Sequence, residues 1–356
     1  MSVLVARLPP ILAGLAGLLA GLAVGCARDP VPQPSAPESA VGSTPGTALT
    51  LRFAAFTTVR EAYEKRIIPL FVEEWRRRHG SRIQFEQSYG ASGDLARSIA
   101  EGFEADVAAF SNEEDVRRLV PSGLLRPDWA WGATGGIVSR SVVVLAVRPG
   151  NPEGVRDWSD LARPGLRIVM PDPSSSGGGR WGVTAIYGAV LREAGSHADA
   201  EALLGRVLGR VVRWSPSARS SSEAFEQGLG DVALSSESEV MRSRMFGHEI
   251  DWVVPKSTLR MDNPAVLVDA HADRHGVREA AQAFLEFLVS EEAQRAFVLR
   301  GFRPALLSPA SEETDPNHRA EDLWGIEELG GWSEVQKLLF DPGAAYERAA
   351  AAARED

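Results

Sequence analysis

The sequence has little on which a disulfide, a metal site or a nucleic-acid interface could depend. Its 356 residues include one cysteine, Cys26, and the formal net charge is −10. A single cysteine excludes an intrachain disulfide and a multi-cysteine metal site. The acidic balance argues against nucleic-acid binding, which needs a basic patch. We therefore expect no metal and no cofactor, and any anion must be held by backbone dipoles or a few donors.

Long hydrophobic runs are also absent, apart from one at the N-terminus. The apolar stretch from Ile11 to Val24 is too short for a typical spanning helix and predicts a signal peptide over residues 1–25. Leu22-Ala23-Val24-Gly25-Cys26 follows, and it resembles a bacterial lipobox. This pattern predicts that Cys26 carries a lipid, which would be the only membrane contact of the protein. The alternative is that Cys26 belongs to an ordinary signal peptide and carries no lipid. Residues 26–48 follow, and their richness in Pro, Ser, Gly and Ala predicts a lipid-anchored flexible linker.

The remaining chain alternates strand-like and helix-like segments, which predicts an α/β architecture, and its length suggests two domains. Leu49–Phe56 has the pattern of a strand. Helices are predicted over Thr58–His79 and over Gly276–Leu299 from their apolar spacing. Ser220-x-x-Glu223 has the pattern of a capping box at the start of another helix.

Three Ser/Gly turns lie where a predicted strand ends and a helix begins, at residues 88–93, 174–179 and 217–220. A helix start presents unpaired N–H groups and a partial positive charge, so it can hold an anion without a cation. A serine at such a position can equally serve only as a helix cap. Three turns together favour a phosphate- or sulfate-sized ligand. Gly90-Ala91-Ser92-Gly93 lacks the spacing of a nucleophile elbow, and we expect no catalytic residue and no enzyme activity.

A series of short segments, in a fixed order, carries a family resemblance. They are Arg60-Glu61-x-Tyr63, Ser88-Tyr89-Gly90-Ala91-Ser92-Gly93, Gly150-Asn151-Pro152, Asp157-Trp158-x-Asp160-Leu161-x-Arg163-Pro164-Gly165, Pro171-Asp172-Pro173-x-Ser175-Ser176-Gly177-Gly178-x-Arg180-Trp181, Gly230-Asp231-Val232, Arg303-Pro304 and Gly330-Gly331-Trp332. With these segments the chain, from about Phe56 to Tyr346, resembles the periplasmic sulfate- and thiosulfate-binding proteins of ABC importers.

The resemblance implies a periplasmic-binding-protein-like α/β fold, with two lobes joined by two crossing segments. Lobe one would comprise residues 49–141 plus 257–345, lobe two residues 142–256, and residues 346–356 would form a C-terminal tail. It further implies a monomeric, periplasmic or cell-surface protein that delivers sulfate or thiosulfate to an ABC permease and its ATPase. Two alternatives remain open: another oxyanion, such as phosphate, molybdate or a sulfonate, and a ligand-binding sensor without a transport role.

The resemblance also implies which residues hold the anion with neutral donors. Carried over residue by residue, the ligand-binding site is Ser92, Ser176, Gly177, Gly178, Ala218 and Ser236, and the supporting residues are Arg180 and Arg219.

Three positions depart from the family pattern. The family's Tyr-Asp-Pro-Thr-Arg-Glu is here Phe56-Thr57-Thr58-Val59-Arg60-Glu61, so an aspartate is missing. Ser236 stands where the family has a tryptophan whose indole donates to the anion. A bridging water, room for a larger oxyanion, or an indole supplied by Trp214 could each compensate. Asp94 replaces a lysine, and it could accept a proton from a hydrogen-bearing ligand or merely complement the helix dipole.

Overall fold

The computed structural model describes residues 48–306 and 319–354. The predicted signal peptide, Cys26 and all but the last residue of the predicted linker lie outside these residues. Within the two described ranges, no helix combines the length and the apolar character that crossing a membrane requires.

The described strands follow one another in space in an order that differs from their order in the chain. They are β1 (Leu49–Phe56), β2 (Ile83–Gly90), β3 (Val107–Ala109), β4 (Ile137–Val147), β5 (Ile168–Pro171), β6 (Val211–Ser215), β7 (Val232–Ser236), β8 (Asp251–Val253), β9 (Ser257–Leu267), β10 (Arg303–Pro304) and β11 (Asp322–Trp324). The spatial order is β2-β1-β3-β9-β4-β7-β5-β6. Strands β2, β1 and β3 are parallel, as are β7, β5 and β6, so the molecule contains two parallel groups.

The long strands β4 and β9 connect the two parallel groups. Residues 137–142 of β4 pair with β9, whereas residues 143–147 pair with β7. Strand β9 pairs with β4 over residues 260–264 and with β3 over residues 265–267. Each strand therefore belongs to both halves of the molecule, and β4 changes partner close to the predicted lobe boundary at residues 141 and 142.

Helices cover both faces of the two parallel groups. They are α1 (Arg60–Ala62), α2 (Ile68–His79), α3 (Ser92–Ala100), α4 (Glu113–Arg117), α5 (Gly177–Ala194), α6 (His197–Leu208), α7 (Ala218–Glu226), α8 (Glu237–Met245), α9 (Asp269–His275), α10 (Arg278–Leu288), α11 (Glu291–Val298), α12 (Trp332–Val335) and α13 (Ala345–Ala352).

The apolar run in β4 is continuous because both of its faces are buried. Val143 and Leu145 enter one hydrophobic cluster, while Val142 and Val144 enter a second cluster on the opposite face. A strand that is covered on both sides is expected to be apolar throughout rather than alternating. This is the packing that an α/β fold gives to its central strands.

Two of the predicted long helices are interrupted. The segment predicted as one helix over Thr58–His79 contains a 3-10 turn, α1, a π-helical stretch over Tyr63–Ile67 and then α2. The segment predicted over Gly276–Leu299 divides into α10 and α11, because Ser290 caps the second helix by accepting a hydrogen bond from Ala293 N–H (3.3 Å).

Residues 322–352, which the prediction divides between lobe one (257–345) and a tail (346–356), contribute to one hydrophobic core. The buried side chains of this segment join the cluster that contains Val143 and Leu145 of β4. The indoles of Trp332 and Trp181 meet edge to face with centroids 4.6 Å apart. Gly188 of α5 leaves the space that Trp324 fills, since a Cβ there would lie 2.3 Å from the indole. The segment, including α13, is therefore part of the core around β4, β5 and β7.

Candidate functional site

Three helices begin where strands of the two parallel groups end. Helix α3 follows β2, α5 follows β5 and α7 follows β6. One cavity of about 20 Å³ lies among their first turns. A site for one water molecule needs roughly 10–15 Å³ on this measure, so the space suits only a compact ligand. The predicted site residues Ser92, Ser176, Gly177, Gly178, Ala218 and Ser236 all line this cavity.

Ser92 is the first residue of α3, and its hydroxyl is occupied within the protein. Its Oγ donates to Asp115 Oδ2 (2.6 Å) and accepts from Ser111 N–H (2.9 Å). Asp115 is fully buried, and burial raises the pKa of its carboxyl above the ordinary 3.8, against the lowering effect of the Ser92 hydroxyl. What Ser92 offers to a ligand is therefore its backbone N–H at the helix start.

Gly93 has to be a glycine because the second Ser/Gly turn packs against it, not because a ligand does. Its N–H donates to the Ser175 carbonyl (3.0 Å), and the N–H of Asp94 donates to the same oxygen (3.3 Å). A Cβ on Gly93 would lie 2.9 Å from that carbonyl. The absence of a side chain here lets the loop before α5 pack directly on the start of α3.

The second turn contributes Ser176, Gly177 and Gly178 to the lining of the cavity. Ser176 is the N-cap of α5 in position, yet its side chain makes no capping bond. The N–H groups of Gly177, Gly178 and Gly179 belong to the first helical turn and have no intrahelical acceptor. A Cβ on Gly177 would lie 2.6 Å from both Asn112 Nδ2 and Ser111 Oγ, so no side chain fits there.

The capping box of the third Ser/Gly turn lies three residues earlier in the chain than predicted. The capping box consists of Ser217 and Ser220, not of Ser220 and Glu223. Ser217 Oγ accepts from Ser220 N–H (3.1 Å), and Ser220 Oγ accepts from Ser217 N–H (3.0 Å). Helix α7 therefore begins at Ala218, which directs the free N–H of this residue at the cavity wall.

Ser236 lines the cavity but acts as a helix cap as well. Its Oγ accepts from Glu239 N–H (3.3 Å) at the start of α8 and lies 3.0 Å from Ser238 Oγ. Trp214 is not among the lining residues, so the described cavity receives no indole from it.

The two predicted supporting arginines lie behind the cavity and do not line it. Arg180 is buried, donates to Gln336 Oε1 and lies 4.1 Å from the Phe340 ring centroid. Burial, reinforced by the nearby Arg118, lowers the pKa of Arg180 to about 10.

Arg219 belongs to an ion-pair cluster formed by Glu61, Arg219, Glu226, Glu239 and Arg242. Arg219 contacts Glu61 at 2.7 Å and Glu239 at 3.0 Å, and Arg242 contacts Glu239 at 3.4 Å and also pairs with Glu226. Burial alone would raise the pKa of Glu61, but the bond and charge of Arg219 outweigh it and lower that pKa below 4.5. Each guanidinium of the cluster thus pairs with two carboxylates, and the three acids and two arginines together carry a formal charge of −1.

Sequence reasoning missed several residues that complete the lining. They are Ser111, Ser141, Ser235, Ser238 and Asn263, together with Phe56, Thr57 and Thr58 at the end of β1. Among the described residues, no side chain that lines the cavity carries a charge. Ser111 and Ser235 lie at the ends of buried strands, and a serine in that position is the one sequence signal that could have indicated a lining residue.

Asp94 does not provide a proton acceptor for the cavity. Its side chain is about half exposed, pairs with Arg97 and is absent from the lining. No group of three or more His, Cys, Asp or Glu side chains in the described part of the chain is arranged to hold a metal. The arrangement can thus bind a small anion through neutral donors.

Residues 51–303 match a family model described as bacterial extracellular solute-binding protein. The chain belongs to this family. A sulfate-binding protein of Synechococcus elongatus is 34% identical over 305 residues, which cover 85% of this chain and 87% of that protein. A thiosulfate-binding protein of Pseudomonas aeruginosa is 30% identical over 315 residues, which cover 87% and 94% of the two chains.

Solved structures of solute-binding proteins share the fold. The sulfate-binding protein SubI from Mycobacterium tuberculosis H37Rv aligns with a TM-score of 0.75 and 34% identity, over 82% of this chain and all of SubI. A periplasmic thiamin-binding protein, only 13% identical, aligns with a TM-score of 0.62 over 88% of this chain and 99% of its own. The predicted α/β, two-lobed fold class and the predicted family resemblance are confirmed.

Proposed function

We propose that this solute-binding protein holds sulfate or thiosulfate in the cavity and delivers the anion, chemically unchanged, to the permease of an ABC importer. The observation that carries the proposal is a compact, uncharged cavity onto which three helices point their N-termini. Helix starts stabilise an anion through their free N–H groups and the helix dipole. The names of the Synechococcus and Pseudomonas relatives and of SubI support the same ligand class.

The cavity favours a fully ionised oxyanion over a hydrogen-bearing one. A hydrogen-bearing oxyanion is best held by a carboxylate, which only accepts hydrogen bonds. Neither Asp94 nor any other carboxylate is part of the described lining. Sulfate and thiosulfate fit this donor-rich wall better than hydrogen phosphate does.

Contacts across the cavity support enclosure of the anion between two lobes. On the predicted boundaries, Gly93 N–H to Ser175 (3.0 Å), Trp181 Nε1–H to the Ser111 carbonyl (2.7 Å) and Arg219 to Glu61 (2.7 Å) all join lobe one to lobe two. A ligand that bridges the same two walls adds to these contacts, so binding favours the closed arrangement.

A thermal-shift panel tests the ligand class. The purified protein is heated with sulfate, thiosulfate, phosphate, molybdate or an organic sulfonate. A ligand that binds only the folded state raises the melting temperature, and the shift grows with the logarithm of the ligand concentration divided by its Kd. Sulfate and thiosulfate should give the largest shifts and phosphate a smaller one. A panel in which no oxyanion moves the melting temperature would refute the proposal.

The lipid anchor on Cys26 is a second part of the proposal, supported by the lipobox pattern at residues 22–26. A lipid followed by a flexible linker keeps a binding protein near a membrane permease. Cys26→Ala should shift the protein from the membrane to the soluble fraction in cell fractionation. A membrane fraction unchanged by that substitution, with no lipid on the mature peptide, would contradict the anchor.

A further inference from the structure

Ser111 has one polar group that the protein leaves unused. Its side chain is 3% exposed and lines the cavity. Its N–H donates to Ser92 Oγ (2.9 Å), and its carbonyl accepts from Trp181 Nε1–H (2.7 Å) and Asn263 Nδ2–H (3.0 Å). The Ser111 hydroxyl, in contrast, has no hydrogen-bond partner among the described residues.

A buried hydroxyl without a partner is unusual in a folded protein, because its desolvation is not compensated. The other fully buried hydroxyls without a partner among the described residues do not line the cavity; they belong to Tyr63, Thr134, Thr184, Ser215 and Ser221. The exception, Ser111 Oγ, lies only 2.6 Å from the position that a Cβ on Gly177 would take. It therefore sits against the first turn of α5, where the free N–H groups of the cavity begin.

We infer that the Ser111 hydroxyl donates a hydrogen bond to an oxygen of the bound anion. The inference rests on the proposed function and adds a ligand contact to the six that the sequence predicted. The three hydrogen bonds to its backbone fix the residue between α3, α5 and β9, so the hydroxyl is positioned before the ligand arrives. Only rotation about the Cα–Cβ and C–O bonds is needed for it to donate.

The test compares Ser111→Ala with the wild-type protein by isothermal titration calorimetry with sulfate. Loss of one hydrogen bond to a charged ligand should weaken sulfate binding by about 10- to 100-fold. The ligand-free melting temperature should stay the same or increase, because the variant removes an uncompensated buried hydroxyl. A purely structural role would instead lower that melting temperature.

Ser221→Ala is the matched control, since Ser221 is equally buried and unpartnered but does not line the cavity. It should leave the affinity for sulfate within about threefold of wild type. Wild-type affinity in Ser111→Ala, or equal losses in both variants, would overturn the inference while sulfate binding itself stands. A wild-type protein that binds neither sulfate nor thiosulfate would overturn the proposed function and this inference with it.

Discussion

Two neighbouring regions of the molecule can be compared, the cavity at the helix starts and the ion-pair cluster of Glu61, Arg219, Glu226, Glu239 and Arg242. The described lining of the cavity is uncharged and offers N–H groups and hydroxyls. The cluster concentrates five charges, of which Glu239 is completely buried. Yet Ala218 of the cavity and Arg219 of the cluster are adjacent in the chain.

The difference teaches how an acidic protein can keep an anion site. A cation placed in the cavity would bind the ligand strongly but would itself need a partner in the empty state. Here Arg219, next to the cavity, is already satisfied by the carboxylates of Glu61 and Glu239. The ligand is held by the backbone dipoles at the helix starts, which the fold already keeps in position. Stability should therefore depend on the cluster, and affinity on the cavity.

The largest effect should come from breaking the cluster with Arg219→Met. The substitution leaves Glu61 without its cation and the buried Glu239 with Arg242 alone. Removing one partner of a buried pair typically costs about 3–5 kcal/mol, so the free energy of unfolding should fall by about that amount. Urea denaturation measures it.

Arg97→Met provides the control for the loss of an arginine as such. Arg97 forms an exposed pair with Asp94 on α3. Exposed pairs contribute about 0–1 kcal/mol, so the unfolding free energy should change by no more than that. Equal losses of unfolding free energy in Arg219→Met and Arg97→Met would mean that the cluster stabilises the fold no more than an exposed ion pair does.

The second largest effect should be on the affinity of the cavity for sulfate, tested with Gly177→Pro and Gly177→Ala. Both variants crowd Asn112 and Ser111, since a Cβ would lie 2.6 Å from each. Only proline also removes the N–H, and the first helical position otherwise tolerates proline well. Calorimetry should therefore show sulfate binding about 10- to 100-fold weaker in Gly177→Pro than in Gly177→Ala. Equal affinities would show that this N–H does not hold the anion.

The cavity was partly predictable because much of its pattern is local. Ser176, Gly177 and Gly178 adjoin in the sequence, and a Ser/Gly turn after a strand is where a helix start is expected. Their position on the cavity follows from the parallel strands, whose carboxyl ends meet at one edge of a sheet. The strand Leu49–Phe56 was predicted with its bounds, since its apolar pattern is equally local.

The unpredicted parts depend on contacts between distant residues. Ser111 meets Trp181 and Asn263 only through the strand order, and no local pattern indicates this. Either Ser217 or Ser220 could cap α7 on sequence grounds, and the end of β6 decides between them. The packing of Trp324 depends on the space left by Gly188, more than a hundred residues away. The lobe boundaries implied by the resemblance stay a prediction.

The smallest effect is a difference in the pH dependence of stability between the two regions, carried by Glu61 of the cluster and Asp115 behind the cavity. Arg219 outweighs burial and lowers the pKa of Glu61 below 4.5, so the stability it contributes is complete above pH 4.5 and is lost as the pH falls through the lowered value. Burial raises the pKa of Asp115 above 3.8, so the folded state holds that proton more tightly than the unfolded chain does. Through Asp115, stability increases as the pH falls from the raised value towards 3.8.

Substitution by the neutral amide separates the two contributions. Chemical denaturation between about pH 6 and pH 3 should show the stability advantage of wild type over Glu61→Gln shrinking as the pH falls. The same comparison with Asp115→Asn should show wild type gaining on the variant as the pH falls, because the amide side chain never carries the buried charge. Both amides keep the shape of the side chain and one carbonyl acceptor, so the packing is matched. Parallel pH profiles for the two variants would mean that the carboxyls of Glu61 and Asp115 are held by the same balance of burial and charge.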